Sequence, residues 1–292
     1  MTDARCVLEM RSILGESPMW HAREARLYWL DLQRPAIYRF DPESGRNEQI
    51  PAELGSYVGG LVFRGDGSLV VDKETGIHAV DRKTGALRPL ADPEPDMPGN
   101  WFNDAKCDRL GRLWAGSGDR HETAPTGKLY VFERDHSWRA VDSGIICSNG
   151  TAFSPDGRVA YFSDSCAQQI VRYDIDPATG DIGPRRPFVK IGEENVQPDG
   201  MTVDAEGGIW VALWDGWRIE RYTPDGKLDR TVKLPVPRPT SVAFGGPDCR
   251  SLYITSASMG LTDGQLAEAP LSGSLFVCRP GMAGIPEPVY NG

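Results

Sequence analysis

Short apolar runs alternate with polar turns along this chain, and they do so in a fixed order. Gly60-Leu61-Val62-Phe63, for example, passes through a charged, glycine-containing turn into Ser68-Leu69-Val70-Val71. Runs of this length, rich in Leu, Val, Tyr and Trp and bounded by Asp, Gly or Pro, predict β-strands joined by tight turns. The phrase recurs as Pro18-Met19-Trp20 with Arg26-Leu27-Tyr28-Trp29-Leu30, Ala105-Lys106-Cys107 with Arg112-Leu113-Trp114-Ala115, and Thr151-Ala152-Phe153 with Val159-Ala160-Tyr161-Phe162. Met201-Thr202-Val203 with Ile209-Trp210-Val211 and Val242-Ala243-Phe244 with Leu252-Tyr253-Ile254 complete a set of six. A second phrase, of the kind Ala36-Ile37-Tyr38-Arg39-Phe40-Asp41 or Gln169-Ile170-Val171-Arg172-Tyr173-Asp174, follows each copy.

Taking Glu24, Asp66, Leu110, Asp156, Glu206 and Asp248 as turn markers, the repeats step by 42, 44, 46, 50 and 42 residues. Those periods suit four-stranded propeller blades and predict an all-β, six-bladed propeller spanning residues 1–292 as one domain. An irregular sandwich would supply short strands at even spacing, but not two phrases in strict alternation. The chain runs one strand short after the sixth copy, while Cys6-Val7-Leu8-Glu9-Met10 is spare at the other end. Pairing the two closes the ring and removes an exposed sheet edge. Two long connections stand out, Ala91–Gly99 between blades and the Gly-rich Gly116–Gly127, the latter read as a mobile lid near the channel mouth.

Composition narrows the function. The 33 glycines and 23 prolines are spread evenly, which favours many turns over a disordered tail. A net charge of −9 with no basic run disfavours nucleic acid and anionic membranes as partners. No run approaches the roughly 18 apolar residues of a membrane span, and Met1-Thr2-Asp3-Ala4-Arg5 leads into no signal-type apolar segment, so the cytoplasm is the expected location. The six cysteines are scattered without a C-x-x-C pair and read as reduced structural thiols rather than a disulfide framework or zinc finger. The four histidines show no metal-ligand spacing and read as surface or loop residues. No serine has a G-x-S-x-G context, so a serine hydrolase triad is not expected.

The chemistry-bearing pattern lies in register with the repeat. About seven or eight residues before each marker stand Glu16, Val58 or Gly59, Asn103, Asn149, Asp199, and Thr240 or Ser241. The first strand of every propeller blade lines the central channel, so these positions converge on one axis. Each taken alone reads equally well as a turn or capping residue, since Asn149-Gly150 and Asp199-Gly200 are turn-favouring pairs. Together, two carboxylates and two amides would be costly to bury without a partner. A divalent cation resolves that cost, and hard oxygen ligands suit Ca²⁺, Mg²⁺ or Mn²⁺ better than a soft zinc site. Asn103 serves either as ligand or as substrate contact.

At these residues the chain resembles the regucalcin (senescence marker protein), gluconolactonase and luciferin-regenerating enzyme family. The matching segments are Leu14-Gly15-Glu16-Ser17-Pro18-Met19-Trp20, Phe102-Asn103-Asp104, Ser148-Asn149-Gly150-Thr151-Ala152-Phe153-Ser154-Pro155-Asp156-Gly157 and Pro198-Asp199-Gly200-Met201, followed by Ala212-Leu213-Trp214-Asp215-Gly216 and Pro239-Thr240-Ser241-Val242-Ala243-Phe244-Gly245-Gly246. The resemblance implies a six-bladed propeller with one divalent metal held by Glu16, Asn149 and Asp199. Ca²⁺ is the first expectation, with Zn²⁺, Mg²⁺, Mn²⁺ and Fe²⁺ as alternatives. It further implies hydrolysis of a sugar (aldono) lactone to the aldonic acid, with Asn103 and the loop acid Glu122 contacting substrate and Asp199 as catalytic base or ligand. Trp101 departs from the pattern, since many members carry Arg there; an aromatic face stacks on a sugar but cannot fork two hydrogen bonds to it. Phosphotriester or other ester hydrolysis at the same metal, or a non-catalytic propeller binding calcium or a protein, are the alternatives.

Overall fold

The computed structural model describes residues 4–292, so the reading of Met1-Thr2-Asp3 lies outside it. Six four-stranded antiparallel sheets follow one another in chain order. The first is Gly15–His21, Arg26–Asp31, Ala36–Phe40 and Asn47–Ile50; the fifth is Gln197–Val203, Ile209–Trp214, Arg218–Tyr222 and Leu228–Lys233. The sixth takes Pro239–Gly245, Ser251–Ser256 and Leu275–Cys278 from the end of the chain and Arg5–Leu8 from its start. Arg5 pairs Val277 and Cys6 pairs Phe276, so the spare N-terminal strand closes the ring. This is the six-bladed propeller that the periodicity predicts.

Burial grades across each blade, and the sequence pattern follows it. In the fifth blade Ile209–Trp214 is buried at all but its last residue, whereas Leu228–Lys233 is exposed at all but Val232. Outer strands therefore carry little hydrophobic signal, which is why only inner phrases stand out in the sequence. Trp29, Trp114 and Trp210, each on the second strand of its blade, are fully buried. Two of them are anchored alike: Trp114 Nε1 donates to Asp108 at 3.0 Å and Trp210 Nε1 to Asp204 at 2.9 Å, six residues earlier in both cases. One short helix, Asp263–Glu268, is inserted in the sixth blade behind a capping box of Thr262 and Gln265.

The C-terminal segment runs across the turns that follow the inner strands. Gly284 N bonds Cys249 O at 2.7 Å, Ala205 N bonds Ala283 O at 2.8 Å and Tyr290 N bonds Phe63 O at 2.8 Å, so one stretch straps the sixth, fifth and second blades together. Glu287 on this strap pairs with Lys106 at 3.2 Å. The strap occupies the end of the ring opposite Glu16 and Asp199, leaving the strand entries as the accessible face.

Candidate functional site

Inner strands break register at matching places. The shifts lie between Glu16 and Met19, Asn103 and Ala105, Ser148 and Thr151, Pro198 and Met201, and Pro239 and Val242. A bulge re-aims a side chain that regular alternation would place elsewhere. Glu16, Asn103, Asn149 and Asp199 sit at these bulges. Ser17 and Asp104, next in sequence to two of them, take left-handed backbone with φ of 48° and 64°.

The glycines beside the candidates are there for space. A Cβ on Gly150 would meet Asp199 O at 2.5 Å, and one on Gly200 would meet Ser241 Oγ at 2.0 Å. Asn149-Gly150 and Asp199-Gly200 lie inside strands, which corrects the turn reading of these pairs; glycine lets neighbouring blades close on the axis. Hydrogen bonds then fix three of the inner strands to the neighbouring blade. Ser163 Oγ donates to Asp199 O at 2.8 Å, Ser165 Oγ to Pro198 O at 2.7 Å, Asn103 Nδ2 to Ser148 O at 2.7 Å and Thr240 Oγ1 to Gly15 O at 2.5 Å.

A cavity of about 310 Å³ opens at this end, and Glu16, Trp101, Asn103, Glu122, Asn149 and Asp199 all line it. Glu16 and Asp199 are buried, at 6% and 5% exposure. Burial, then the Asp104 charge, pushes Glu16 up to about 8. Burial, then Glu16 and Asp104, holds Asp199 well above the carboxylate range. Glu16 Oε2 accepts from Ser17 N at 2.8 Å, whereas Asp199 Oδ1 is buried with no hydrogen-bond partner. An orphaned carboxylate oxygen beside a second buried acid is the arrangement a hard cation satisfies. The residues fit a divalent metal: two carboxylates and the amide of Asn149 are oxygen donors facing one cavity.

Several residues of this region escape a reading made blade by blade. Asp72, from the second strand of the second blade, packs its carboxylate against the backbone of Gly59 and Gly60, where the repeat offers no polar side chain: Gly60 N donates to it, and a Cβ on Gly59 would lie 2.2 Å from it. The signal available was the Gly59-Gly60 pair. Burial pushes Asp72 up to about 8 and Asp104 to about 6, with Lys106 drawing Asp104 the other way. Tyr57 donates to Asn103 Oδ1 at 3.1 Å and stacks on Trp101 with ring centroids 4.4 Å apart. Arg120 stands over the Trp101 ring at 5.7 Å. Cys147 and Cys166, far apart in sequence, come together with Glu122 so that one sulfur or oxygen atom of each lies within 4.8 Å of the others. All six cysteines are free thiols.

Two further expectations change. Gly116–Asp119 belongs to the strand Leu113–Asp119 and Gly127 opens the next strand, so the loop is residues 120–126. Asp119 ties it down by accepting from Thr123 N at 2.8 Å, Thr123 Oγ1 at 2.7 Å and Ala124 N at 2.9 Å, which also hold its carboxyl well below the usual range. His78 is buried within the strand Gly76–Val80 rather than lying at the surface.

Residues 14–258 match the family described as the SMP-30/Gluconolactonase/LRE-like region. A 6-deoxy-6-sulfogluconolactonase of Pseudomonas putida is 36% identical over 291 residues, covering 99% of this chain and 98% of the relative. A pentonolactonase of Haloferax volcanii is 36% identical over 292 residues, covering 98% and 97%. Among solved structures, the calcium-binding regucalcin of Agrobacterium tumefaciens superposes with a TM-score of 0.93 at 28% identity, covering 99% of this chain and 97% of its own.

Proposed function

The chain belongs to the SMP-30/Gluconolactonase/LRE-like family, and from that premise we propose that it hydrolyses a sugar lactone to the aldonic acid, with a divalent cation held by Glu16, Asn149 and Asp199. The observation that carries this reading is the buried, unpartnered Asp199 Oδ1 beside buried Glu16, in a cavity of about 310 Å³, a volume at the lower end of small-ligand sites. Relatives named for lactone hydrolysis over nearly the whole chain support the substrate class. Calcium is the first candidate ion, given oxygen donors and a relative named as calcium-binding.

When bound, the cation supplies Lewis-acid polarisation of the lactone carbonyl and lowers the pKa of water. Asp199 accepts the proton of the attacking water through its carboxylate, and the Ser163 and Ser165 hydrogen bonds to the backbone of Asp199 and Pro198 fix the strand that carries it. Asn103 is oriented by Tyr57 and by Ser148 O, which leaves its second Nδ2 hydrogen for the oxygen on which charge develops. Glu122 and Trp101 border the sugar. Ring opening breaks the ester C–O bond, the ring oxygen takes the proton and the carbonyl carbon becomes the carboxylate.

Acid release from aldonolactones, followed with a pH indicator, tests this. Opening of at least one lactone that chelator abolishes and added cation restores is expected. Lactone opening that ignores chelator overturns the metal assignment, and no opening of any lactone with cation present favours a non-catalytic binding propeller.

A further inference from the structure

Trp101 brings an indole to a cavity that Leu14, Leu32, Trp214 and Met259 line beside its polar groups, and the guanidinium that the sequence lacks at that position enters from elsewhere. Arg120 lies on the adjoining turn, just past the strand that pairs Trp101 with Gly118. Its backbone N bonds Gly99 O at 2.9 Å, the residue before it is the Asp119 that ties the turn, and its guanidinium stands 5.7 Å over the Trp101 ring. Tyr57 stacks on that same indole, so the platform under the guanidinium is itself fixed. Among the described residues lining the cavity, Arg120 is the one cation, and no carboxylate lies within salt-bridge distance of it. A guanidinium stacked on an aromatic ring, weakly hydrated and left with a free fork of donors, is suited to a planar or tetrahedral anion.

We propose that Arg120 is a specificity-determining residue that binds an anionic substituent of the substrate, making the preferred lactone one with a sulfonate, carboxylate or phosphate at the carbon remote from the ring carbonyl. The inference rests on the lactonase reading and deepens it. The reacting carbonyl lies toward Asp199 and Asn103 while the charged end lies over Trp101. Glu122, two residues on, repels an anion placed on its own side, so the substrate is held in one orientation.

Steady-state kinetics on gluconolactone and on its 6-carboxy, 6-deoxy-6-sulfo and 6-phospho counterparts test this, with wild type, Arg120→Gln and Arg120→Lys. In wild type, kcat/KM for at least one anionic lactone should exceed that for gluconolactone. Arg120→Gln should lower this preference by about 10- to 100-fold, mainly through KM, as expected for loss of a hydrogen bond to a charged group. Arg120→Lys should restore part of it, since the charge returns without the fork. Which anion shows the largest ratio identifies the substituent. A wild type that prefers gluconolactone to every anionic lactone, or a preference that Arg120→Gln leaves intact, overturns the proposal. Calorimetric binding of the ring-opened 6-sulfo acid against gluconate separates the two readings: if no lactone is opened, Arg120-dependent preference for the dianion sustains the anion subsite alone, and its absence removes that as well.

Discussion

Asp199, near the start of the inner strand Gln197–Val203, and Asp204, just past its end, stand five residues apart and are both buried, at 5% and 0% exposure. Asp204 is fully answered by the protein. It accepts from Glu206 N at 3.0 Å, Gly208 N at 2.9 Å, Trp210 Nε1 at 2.9 Å and Arg221 Nε at 2.7 Å. Asp199 keeps one oxygen without a donor and has Glu16 and Asp104 for charged company. One carboxylate completes the fold, and the other keeps the unpartnered oxygen on which the cation proposal rests. Burial alone therefore does not distinguish these two acids; the donors around them do.

The largest effect that sharpens this comparison is on stability at the structural end. Asp204→Asn removes the charge facing Arg221, which is itself 4% exposed but keeps Asp229 at 2.7 Å and Glu206 at 3.0 Å. A loss of about 3 kcal/mol is expected, at the low end for breaking a buried ion pair, and thermal or urea unfolding measures it. No comparable loss would remove the contrast between the two aspartates.

The next effect is a pH dependence confined to the cation-free protein. Glu16 is raised from 4.5 to about 8 and Asp199 is raised well above 3.8, in both cases by burial first. An acid whose folded value exceeds its unfolded value binds its proton more tightly when folded, so its stabilising contribution is complete at low pH and is lost as pH rises through the folded value. Between about pH 4.5 and 8 the chelated protein should lose stability through Glu16 as pH rises, and saturating cation should flatten that slope. Unfolding midpoints across this range, with and without chelator, check the sign; a chelated protein gaining stability over the interval would contradict it.

How far the sequence reveals these two ends follows from where the contacts run. Six copies of an inner phrase predict six sheets, and equivalent register places Glu16, Asn103, Asn149 and Asp199 on one cavity, because strand order and in-strand position are local properties. Asp72 stayed hidden because it belongs to a second strand and packs where Gly59 and Gly60 leave no side chain in the way. Tyr57 stayed hidden because it reaches Asn103 and Trp101 from the neighbouring blade; Arg120 and the meeting of Cys147 with Cys166 stayed hidden because they lie in connections beyond the paired strand ends, where no periodicity marks which residues face each other. The C-terminal strap was equally invisible: Glu287 and Tyr290 have no periodic partner in sequence, and their seats on Lys106 and Phe63 exist only once the ring closes.

The smallest expected effect probes the support of the functional end. Tyr57→Phe deletes the 3.1 Å hydrogen bond to Asn103 but keeps the ring stacked on Trp101. A cost of about 1 kcal/mol in transition-state stabilisation follows, a roughly fivefold drop in kcat/KM, with little change in unfolding midpoint. A drop of hundreds-fold would mean that Tyr57 touches the reacting atoms itself.

The contrast between the two aspartates is tested most directly by the thermal unfolding of wild type and Asp199→Asn, each chelated and then titrated with Ca²⁺. The account predicts that chelated Asp199→Asn is at least as stable as chelated wild type, since a buried acid that must either keep its proton or bear an unpartnered charge has gone, and that Ca²⁺ raises the midpoint of wild type alone. An Asp199→Asn protein that unfolds well below wild type without cation, or that keeps the full Ca²⁺-dependent rise, would contradict it.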